Sequence, residues 1–550
     1  MEQIRMLVAI ALSFLVFFVW QYFFIDKDAV QQKTTQEQPK AKIAKEAPAI
    51  KESTPTAASD LKTAQQVPPP LKAARTITID APLYKVSISE KGAIFKSFVL
   101  KDYREKVELD SALKELIPEE IKPGTLRIGF KGKSLPDLND AVFTTETSLD
   151  FITVSGSPRE INFSWTSPGG ISVLKQYLFF PETYQIGLSV TINNQSGQTL
   201  KDNLTLSLIN ESTEGERYGF TGPSALINDD LEQVKIKKIS DTPTHAGKLK
   251  WIAFQDRYFM SSIIPKTTTD AAMHLVLKTD NLVETQYVQP ESEINSGEQQ
   301  TFDYFVFLGP KSVKLLRSLD YDLDKAVNFG WFDFIAKPAL WLMNFLYRYI
   351  PNYGLAIIIL TILIKIILWP LGKKSYKSMN EMKKLQPIMA EIREKHKNDK
   401  QKMNQEVMAL YKTYKINPLG GCLPMVAQIP VFFAFYRMLY EAIELRHAPF
   451  FGWINDLSAP DRLFSFDFTI PMMQPPYGIP VLTIVMGASM LLQQKMTPAA
   501  GDPTQQKMMM IMPVVFTVIF INFSSGLVLY WLVNNILSIA QQYYTLKKAA

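Results

Sequence analysis

Three hydrophobic patterns follow one another along the chain. Residues 6–24 are uncharged and almost wholly apolar. From residue 76 to about residue 310, short runs alternate apolar and polar residues, as in TITI at 76–79 and LTLSL at 204–208, which is the period of a β-strand. Beyond residue 331, apolar runs of helical length dominate. This order predicts an amino-terminal apolar helix, then a β-domain, then a helical membrane part.

The first apolar segment is long enough to cross a bilayer, because its 19 residues make ~28 Å of helix. It follows Arg5 and ends in WQYFF at 20–24, an aromatic group typical of a membrane interface. We therefore predict an uncleaved anchor over 1–25, in preference to a signal peptide with its shorter apolar core. Residues 26–75 are rich in Lys, Gln, Glu, Ala, Thr and Pro, and we expect a disordered linker there.

The alternating runs are separated by turn sequences such as SPGG at 167–170 and NQSG at 194–197. Short strands at this spacing predict a large all-β sandwich domain over 76–325. One segment, WIAFQDRYF at 251–259, fits two interpretations. It is either a core strand with a charged outer face, which we favour, or the wall of a ligand pocket.

A helix with one polar stripe is predicted over 331–350. Its polar residues are separated by 4, 7 and 4 positions, close to multiples of the helical period: Asp333, Lys337, Asn344 and Arg348. Most of the other residues are aromatic or aliphatic, which favours an amphipathic helix lying in the membrane interface. A full membrane span is the alternative, opposed by the charges and by Pro338.

Five further apolar segments predict membrane spans at 353–371, 421–440, 479–496, 508–523 and 526–546. The last two are joined by SSG at 524–526, a turn so short that the two helices must be antiparallel. The predicted fold class is therefore a polytopic α-helical membrane protein with six transmembrane helices, five of which form the core bundle. The all-β domain is a separate unit between the first and second spans.

The charges of the connecting loops predict the orientation. Loop 372–418 holds twelve Lys or Arg against five Asp or Glu, whereas loop 441–478 has only Arg446 and Arg462 as cations. The positive-inside rule places the first loop in the cytoplasm. Both chain termini are then cytoplasmic, and the β-domain lies on the outer side of the membrane.

Within the basic loop, apolar residues recur every 3 or 4 positions on both sides of a polar turn at Asn398 and Asp399. The two rows are Met382, Leu385, Met389 and Ile392, then Met403, Val407, Leu410 and Tyr414. They predict an antiparallel helical hairpin with a narrow apolar seam and basic outer faces. These charges either solvate the hairpin or dock a partner, and the sequence supports both interpretations equally.

Composition and motifs argue against several classes of function. A net charge of +6 is too small to argue for nucleic-acid binding, and a single cysteine, Cys422, allows neither an intrachain disulfide nor a cysteine-based metal site. The four histidines are scattered, so we expect no metal and no cofactor. A Walker A loop, HExxH and GxSxG are all missing from the sequence, which argues against an enzyme.

One cation lies inside a predicted span. Lys365 is eight residues, or ~12 Å, before Lys373 at the cytoplasmic end of 353–371. A lysine near the centre of a span costs about 2.5–3.5 kcal/mol, so it usually has a function. Thr361 lies one turn earlier on the same face.

Other spans and their connecting turn supply further polar residues: Gln428, Asn522, Ser524, Tyr530, Asn534 and Asn535. Together with Lys365 and Thr361 they predict a hydrated, hydrophilic groove that opens to one leaflet. Two other interpretations stay open. The lysine side chain can snorkel to the headgroups, and a lone polar residue in a span is more often a helix–helix hydrogen bond.

Several long motifs then follow in order within residues 331–546. They are NPLGGCLP at 417–424, QIP at 428–430, ELRHAPF at 444–450, WINDLS at 453–458, QQKM at 493–496 and SGLVLYW at 525–531. On these motifs the carboxy-terminal part resembles the YidC membrane protein insertases. The anchor and the large β-domain resemble the Gram-negative branch of that family, in which the periplasmic domain is a β-supersandwich similar to sugar-mutarotase folds.

The resemblance implies a membrane chaperone that accepts nascent hydrophobic segments and releases them laterally into the bilayer, alone or beside the Sec translocon, without nucleotide hydrolysis. It also implies a positive residue in the second span, within a hydrophilic groove. Lys365 matches that position, although arginine is usual there, and lysine keeps the charge without the planar two-bond fork. A hydrophobic slide for the incoming segment is expected at Ile429, Pro430, Phe433 and Phe516.

The partners expected from this resemblance are nascent membrane proteins, the Sec translocon, the lipid bilayer, and the ribosome and signal recognition pathway through the cytoplasmic loops. Two other classes of function stay open. One is a transporter or channel, opposed by the single intramembrane charge and by the missing inverted repeat. The other is an outer-side glycan-binding or glycan-modifying protein, opposed by the missing catalytic motif.

Overall fold

The computed structural model describes the backbone of residues 74–108, 110–118, 121, 124–135, 137–211, 219–278, 281–397, 399–414, 423–496 and 503–549. Side chains are described in these ranges except at 400, 423–426, 503–508, 546, 548 and 549. The anchor expected over 1–25, all but two residues of the linker expected over 26–75, and Cys422 lie outside the described residues. The stretch Ala74–Ala550 clusters into one compact unit.

The first part of this unit is a β-domain of twenty described strands. They are β1 Thr76–Asp80, β2 Tyr84–Ser89, β3 Ile94–Arg104, β4 Leu113–Glu115, β5 Arg127–Phe130, β6 Thr144–Thr145, β7 Phe151–Thr153, β8 Arg159–Thr166, β9 Ile171–Phe179, β10 Gln185–Asn194, β11 Leu200–Asp202, β12 Leu204–Glu211, β13 Gly222–Ile227, β14 Asp230–Gln233, β15 Thr244–Gln255, β16 Phe259–Pro265, β17 Thr269–Leu277, β18 Leu282–Val288, β19 Ser292–Ile294 and β20 Gln299–Pro310.

Most of these strands belong to two sheets. The smaller sheet has the order β4-β3-β2-β1-β7, and its β1–β7 pair is parallel. The larger runs β5-β12-β18-β17-β15-β16-β20-β10-β9-β8-β6, and the hairpin of β13 and β14 attaches to β15. The sheets pack face to face, with the ring centroid of Phe95 5.2 Å from that of Tyr177. The β-rich domain of the predicted fold class is therefore confirmed.

Alternation of side chains explains the core of this domain. Along β9 every second residue is buried, and four of these inward residues are aliphatic or aromatic: Ile171, Val173, Tyr177 and Phe179. Lys175 occupies the same inward row and is fully buried. Its ammonium donates hydrogen bonds to the backbone carbonyls of Gly92, Ala93 and Leu126, at 3.2, 2.7 and 3.1 Å. Since buried polar groups need partners, the turn between β2 and β3 supplies two carbonyls and the residue before β5 supplies the third.

The segment 251–259 contains the end of β15, a turn and the first residue of β16. Trp251 is fully buried, as expected for a core strand. The charged residues of the segment, Asp256 and Arg257, lie in the turn and not on an outer strand face.

The second part of the unit contains nearly all of the helices. They are α1 Val313–Ser318, α2 Asp333–Tyr349, α3 Tyr353–Ile367, α4 Trp369–Lys384, α5 Gln386–Lys395, α6 Lys400–Thr413, α7 Leu423–Glu441, α8 Val481–Met496, α9 Pro503–Phe520 and α10 Ser525–Ala549. Among the described residues, short 3₁₀ helices lie at Ile236–Lys238, within the β-domain, and at Leu323–Ala326, Gly330–Phe332 and Ile443–Leu445. Between α7 and α8, the strands β21 Leu463–Phe466 and β22 Tyr477–Ile479 form a small hairpin. The helical carboxy-terminal part of the predicted fold class is also confirmed.

The segment expected to be one continuous span at 353–371 is instead two helices. α3 ends at Ile367 and α4 starts at Trp369, with a bend of 63° between them. Pro370 lies in the first turn of α4, where its missing N–H and its ring end the preceding helix. By length and hydropathy, none of the described helices qualifies as a membrane span by itself, whereas α3 and α4 qualify as a bent pair.

The basic loop folds into three helices, α4, α5 and α6. A break at Leu385, followed by Pro387 in the first turn of α5, divides the first predicted arm. The second arm begins where the Asp399 side chain accepts hydrogen bonds from the backbone of Gln401 and Lys402. Arms α5 and α6 pack together, and the Tyr411 hydroxyl donates to the sulfur of Met389.

Polar contacts join the β-domain to the helical part. From the β15–β16 turn, Arg257 donates from Nε to the carbonyl of Tyr440 at 2.7 Å, in the last turn of α7. In the opposite direction, Arg446 donates to the carbonyl of Glu105 at 3.2 Å. Two residues before Arg446, Glu444 accepts hydrogen bonds from Ser312 at 3.2 Å and from Asn344 at 3.4 Å. Burial raises the pKa of this carboxyl group.

Candidate functional site

The site is built around the side chain of Lys365, near the end of α3. Its ammonium donates a 2.6 Å hydrogen bond to the Ser538 hydroxyl and lies 3.5 Å from Oδ1 of Asn534. The first contact is a short, charge-assisted bond, and the second is at the outer limit for a hydrogen bond. Both partners are on α10, so the lysine bridges two helices.

A polar row on α10 supports this contact. Asn534, Ser538 and Gln541 are separated by 4 and 3 positions, which places them on one helical face. The Ser538 hydroxyl donates to the carbonyl of Asn534 at 2.7 Å, so its lone pairs stay available to Lys365. Gln541 donates to the carbonyl of Trp369 at 3.1 Å, at the start of α4. The row therefore follows the bent pair α3–α4 across the bend.

Close packing of small residues brings the helices together here. A Cβ atom on Gly372 would lie 2.6 Å from Nε2 of Gln541, so α4 and α10 approach each other more closely than a larger residue allows. The Tyr376 hydroxyl, one turn further along α4, donates to the carbonyl of Ser538 at 3.3 Å. The polar partners of Lys365 are thus fixed by contacts on both sides of the bend.

Lys365 has no described carboxylate beside it and is partly exposed. In the part of the chain that the structure describes, no carboxylate oxygen lies within 4 Å of the ammonium. Lys365 is half-buried, and the residues that follow it, Ile366 and Ile367, are 60% and 74% exposed. The arrangement is a cation with neutral partners on one side and an open, apolar surface on the other. Such a cation can attract acidic or polar groups of another molecule.

The remaining residues of the predicted groove lie in several different places. Thr361 is buried and donates to the carbonyl of Ile357 at 2.6 Å, so its hydroxyl proton is used within α3. Tyr530 is buried on α10, stacked 4.8 Å from Phe435, and its hydroxyl is hydrogen-bonded to the Gln428 side chain. This second polar pair joins α7 to α10, about two turns from Ser538 on α10.

Two predicted groove residues lie at the opposite end of α10. Asn522 accepts from the backbone N–H of Gln474 at 2.8 Å and donates to the carbonyl of Met472 at 2.8 Å, within the loop before α8. Ser524 lies at the first turn of α10, where its carbonyl accepts from Leu527. Thirteen residues separate the start of α10 from Ser538, or ~20 Å. Asn522 and Ser524 therefore fix a loop and do not join Lys365. Asn535 faces α8 and donates to Ser489 at 3.1 Å.

The four predicted slide residues are also in different surroundings. Ile429 is 45% exposed on α7, followed by the partly buried Pro430. Phe433 stacks on Phe332, with 6.2 Å between ring centroids. Phe516 on α9 packs against Trp531, with centroids 6.3 Å apart. Ile429 alone of the four has a large exposed apolar surface.

Sequence reasoning missed Ser538, Gln541 and Tyr376. A signal for the first two was present, because they continue the helical spacing that starts at Asn534. Tyr376 had no such signal, since it lies in the loop 372–418, beyond the end of the expected span. It reaches the site because α4 continues as a helix after the bend.

Comparison with known proteins gives the family. A family model described as 60Kd inner membrane protein matches residues 345–550, and a model of the YidC periplasmic domain matches residues 76–342. The membrane protein insertase YidC of Syntrophus aciditrophicus is 42% identical, covering 99% of this chain and 99% of its own. That of Geobacter sulfurreducens is 42% identical, covering 84% of this chain and 85% of its own.

Among solved structures, a crystal structure of an active YidC insertase covers 86% of this chain and 93% of that chain, at 18% identity and a TM-score of 0.37. The two family models together span both the β-domain and the helical part, and the identity to the relatives extends over the full length. The resemblance inferred from the motifs is confirmed: this chain belongs to the YidC family of membrane protein insertases.

Proposed function

We propose that this chain accepts hydrophobic segments of nascent membrane proteins beside Lys365 and releases them laterally into the inner membrane. The observation that carries the proposal is the ammonium of Lys365, bound to the neutral Ser538 and half-open to its surroundings. A cation at this depth costs free energy of insertion, so its presence there indicates a function. A polar or acidic stretch that must cross the membrane finds a partner there.

The mechanism needs no covalent step. A carboxylate brought to ~4 Å from the ammonium gains on the order of 4 kcal/mol at an effective dielectric near 20, which lowers its desolvation barrier. The hydroxyl of Ser538 and the amide of Asn534 offer further hydrogen-bond partners along the same row. The apolar segment that follows then moves along the exposed surface of Ile429 and partitions into lipid.

The topology belongs to the same proposal. The anchor at 1–25 and five core spans cross the membrane, with α3 and the start of α4 as the second span. The helix α2 and the 3₁₀ helix before it lie in the outer interface: their aromatic residues Trp331, Phe334, Trp341 and Tyr349 are 66–95% exposed, which fits a surface that lipid covers. Both termini and the basic loop are cytoplasmic, and the β-domain is periplasmic.

Partners follow from this placement. Nascent membrane proteins are the substrates, and the Sec translocon is the neighbour when insertion is shared. The ribosome and the signal recognition pathway meet the basic cytoplasmic loops. We propose neither a metal nor a cofactor for this activity.

The test is insertion of a single-span substrate into vesicles containing the purified full-length protein. The substrate carries one acidic residue in its translocated tail. We expect Lys365→Ala to slow insertion about tenfold or more, and Lys365→Arg to be tolerated because it keeps the charge. Lys412→Ala, on the exposed face of α6, is the matched control and should leave insertion unchanged.

A second substrate sharpens this result. When the acidic residue in the tail is replaced by a neutral one, the difference between wild type and Lys365→Ala should shrink. Unchanged insertion in Lys365→Ala with the acidic substrate would remove Lys365 from the mechanism.

A further inference from the structure

The helix α4 has one strongly basic face. Lys373, Lys374, Lys377 and Lys384 are all exposed, and at 100° per residue they fall within about 100° of one another around the helix. We call these four residues the lysine face. The opposite side of α4, with Gly372, Ser375 and Met382, is buried. That side packs towards α10, so the lysine face points away from the bundle.

The lysine face contains one acidic residue, Glu381, which falls between Lys377 and Lys374 around the helix, but its four lysines form no ion pair with a described residue. For the described residues, no carboxylate oxygen lies within 4 Å of any of its four ammonium groups. Lysines of the β-domain differ, because many have a carboxylate partner: Lys91–Asp140 at 2.8 Å, Lys101–Asp80 at 2.8 Å, Lys250–Asp229 at 2.7 Å and Lys278–Glu284 at 2.7 Å. Four of the five lysines of α4 lie on this face, and Lys383 lies about 80° outside it. A positive-inside bias accounts for cations in this loop but not for the position of these four on one side of the helix.

The bend before α4 keeps the lysine face close to the membrane. With α3 along the membrane normal, a bend of 63° makes the 16 residues of α4 rise only ~11 Å over their ~24 Å length. All four lysines are then within about one Debye length of the headgroups. The residues just before them, Ile366, Ile367 and Trp369, are exposed and apolar, as expected for contact with acyl chains.

We propose that the lysine face binds the phosphate groups of anionic phospholipids in the cytoplasmic leaflet. This interaction rests on the membrane placement proposed above and goes beyond the insertion step. Its physical basis is the attraction between clustered lysines next to a span and a negatively charged lipid surface. Bound lipid would hold α4 along the membrane and thereby maintain the contacts of Gln541 and Tyr376 at the bend.

The test uses the full-length protein in phosphatidylcholine vesicles with trace acyl-chain spin-labelled phosphatidylglycerol or phosphatidylcholine. Electron paramagnetic resonance gives the fraction of each lipid held at the protein surface. We expect wild type to prefer phosphatidylglycerol by about twofold or more, and the preference to vanish near 1 M salt, where charges are screened. The quadruple change of the lysine face to glutamine should remove it.

Two variants serve as controls. The quadruple change of the lysine face to arginine keeps the charges and should keep the preference. Glutamine at Lys395, Lys397, Lys402 and Lys412, in α5, α6 and the turn between them, removes the same charge elsewhere and should leave the preference intact. Equal loss in both glutamine variants, or no loss in the first, overturns the proposal. The proposal is also overturned if the glutamine variant of the lysine face loses binding to ribosomal RNA but keeps its lipid preference. That result would assign the lysine face to nucleic acid.

The membrane placement is checked separately in a Cys422→Ser chain with Asn380→Cys, a position on α4 between Lys377 and Lys384 at the edge of the lysine face. A membrane-impermeant thiol reagent should reach it from the cytoplasmic side. Reaction from the opposite side would overturn the placement itself, whereas a missing lipid preference with correct sidedness would overturn the lipid proposal alone.

Discussion

Lys175 and Lys365 lie in the two parts of this molecule and are held in opposite ways. Lys175, in the β-domain, is fully buried and donates to three backbone carbonyls. Lys365, in the helical part, is half-open and bound mainly to one hydroxyl. Lys175 is enclosed, so its ammonium has no room for a partner from another molecule. Lys365 has an open side, where another molecule can approach its ammonium. The comparison separates an enclosed lysine, whose hydrogen bonds join distant parts of the β-domain, from one that is available to a substrate.

The junction between the two parts matters to this comparison. Arg257 extends from the β-domain to α7, and Arg446 extends back from the helical part. Both bind backbone carbonyls, so each contact depends on where the chain runs and not on a particular partner side chain. The β-domain is thereby connected to the end of α7, the helix that also carries Gln428 and Ile429.

The largest effect is expected from removing the enclosed lysine. Lys175→Met leaves the carbonyls of Gly92 and Leu126 without their side-chain donor, while Ala93 keeps the Tyr177 hydroxyl at 2.8 Å. We expect the free energy of unfolding of the β-domain to fall by about 2–3 kcal/mol. Hydrogen exchange of β9 and β3 peptides in the full-length protein measures it. Lys365→Met is the control and should leave this exchange unchanged. Equal protection of these peptides in both variants would show that the two lysines do not differ in their effect on the stability of the β-domain.

The next effect is a pH dependence that the enclosed lysine alone should cause. Burial lowers the pKa of Lys175 to about 7, whereas the unfolded chain has the ordinary value of 10.5. Between these values the unfolded state binds more protons, so stability rises with pH from about 7 towards 10.5 and is lowest where both states are protonated. We expect the free energy of unfolding of the β-domain to increase by about 2 kcal/mol from pH 7 to 9. Hydrogen exchange of the same peptides measures it, with rates corrected for the pH dependence of intrinsic exchange.

Lys175→Met is the control for this pH dependence, because it has no titrating group at that position. Its β-domain should show a flat profile over the same range. A slope of the same size in the variant would assign the titration to another group.

A smaller effect is expected at the open lysine, from the hydroxyl that orients it. Ser538→Ala removes one hydrogen bond to the Lys365 ammonium and should slow insertion about fivefold, equivalent to about 1 kcal/mol. Thr545→Ala is a matched control, since the Thr545 hydroxyl also donates to the carbonyl four residues earlier, at 2.8 Å, and Thr545 lies two turns from Ser538. Insertion rates in vesicles that fall equally in both variants would indicate a general effect on α10.

The smallest effect concerns the junction. Because burial raises the pKa of Glu444, its neutral form is favoured, and Glu444→Gln should change stability by less than about 0.5 kcal/mol. Glu444→Ala leaves Ser312 and Asn344 without their acceptor and should cost about 1–2 kcal/mol. Thermal unfolding in detergent compares the two; a larger loss for glutamine than for alanine would show that the carboxylate is charged.

Much of the architecture was predictable from the sequence because local patterns determine it. Period-two alternation predicted the β-domain, and helical segments lie where apolar runs indicated them. The expected groove was partly predictable, since Asn534 does contact Lys365. Asn522 and Ser524 were grouped with it because composition reveals polarity but not depth along a helix, and they lie ~20 Å away at the other end of α10.

The sequence by itself determined the kinds of element, the family motifs and the presence of one cation in an apolar segment. Tertiary structure alone decided that Lys175 is enclosed, because its three carbonyl partners come from distant parts of the chain. It also decided that 353–371 bends at Leu368, and that Ser538 and Tyr376 converge at the bend. Hydrophobic periodicity depends on neighbours a few residues apart, whereas the surroundings of a charge depend on segments that only folding brings together.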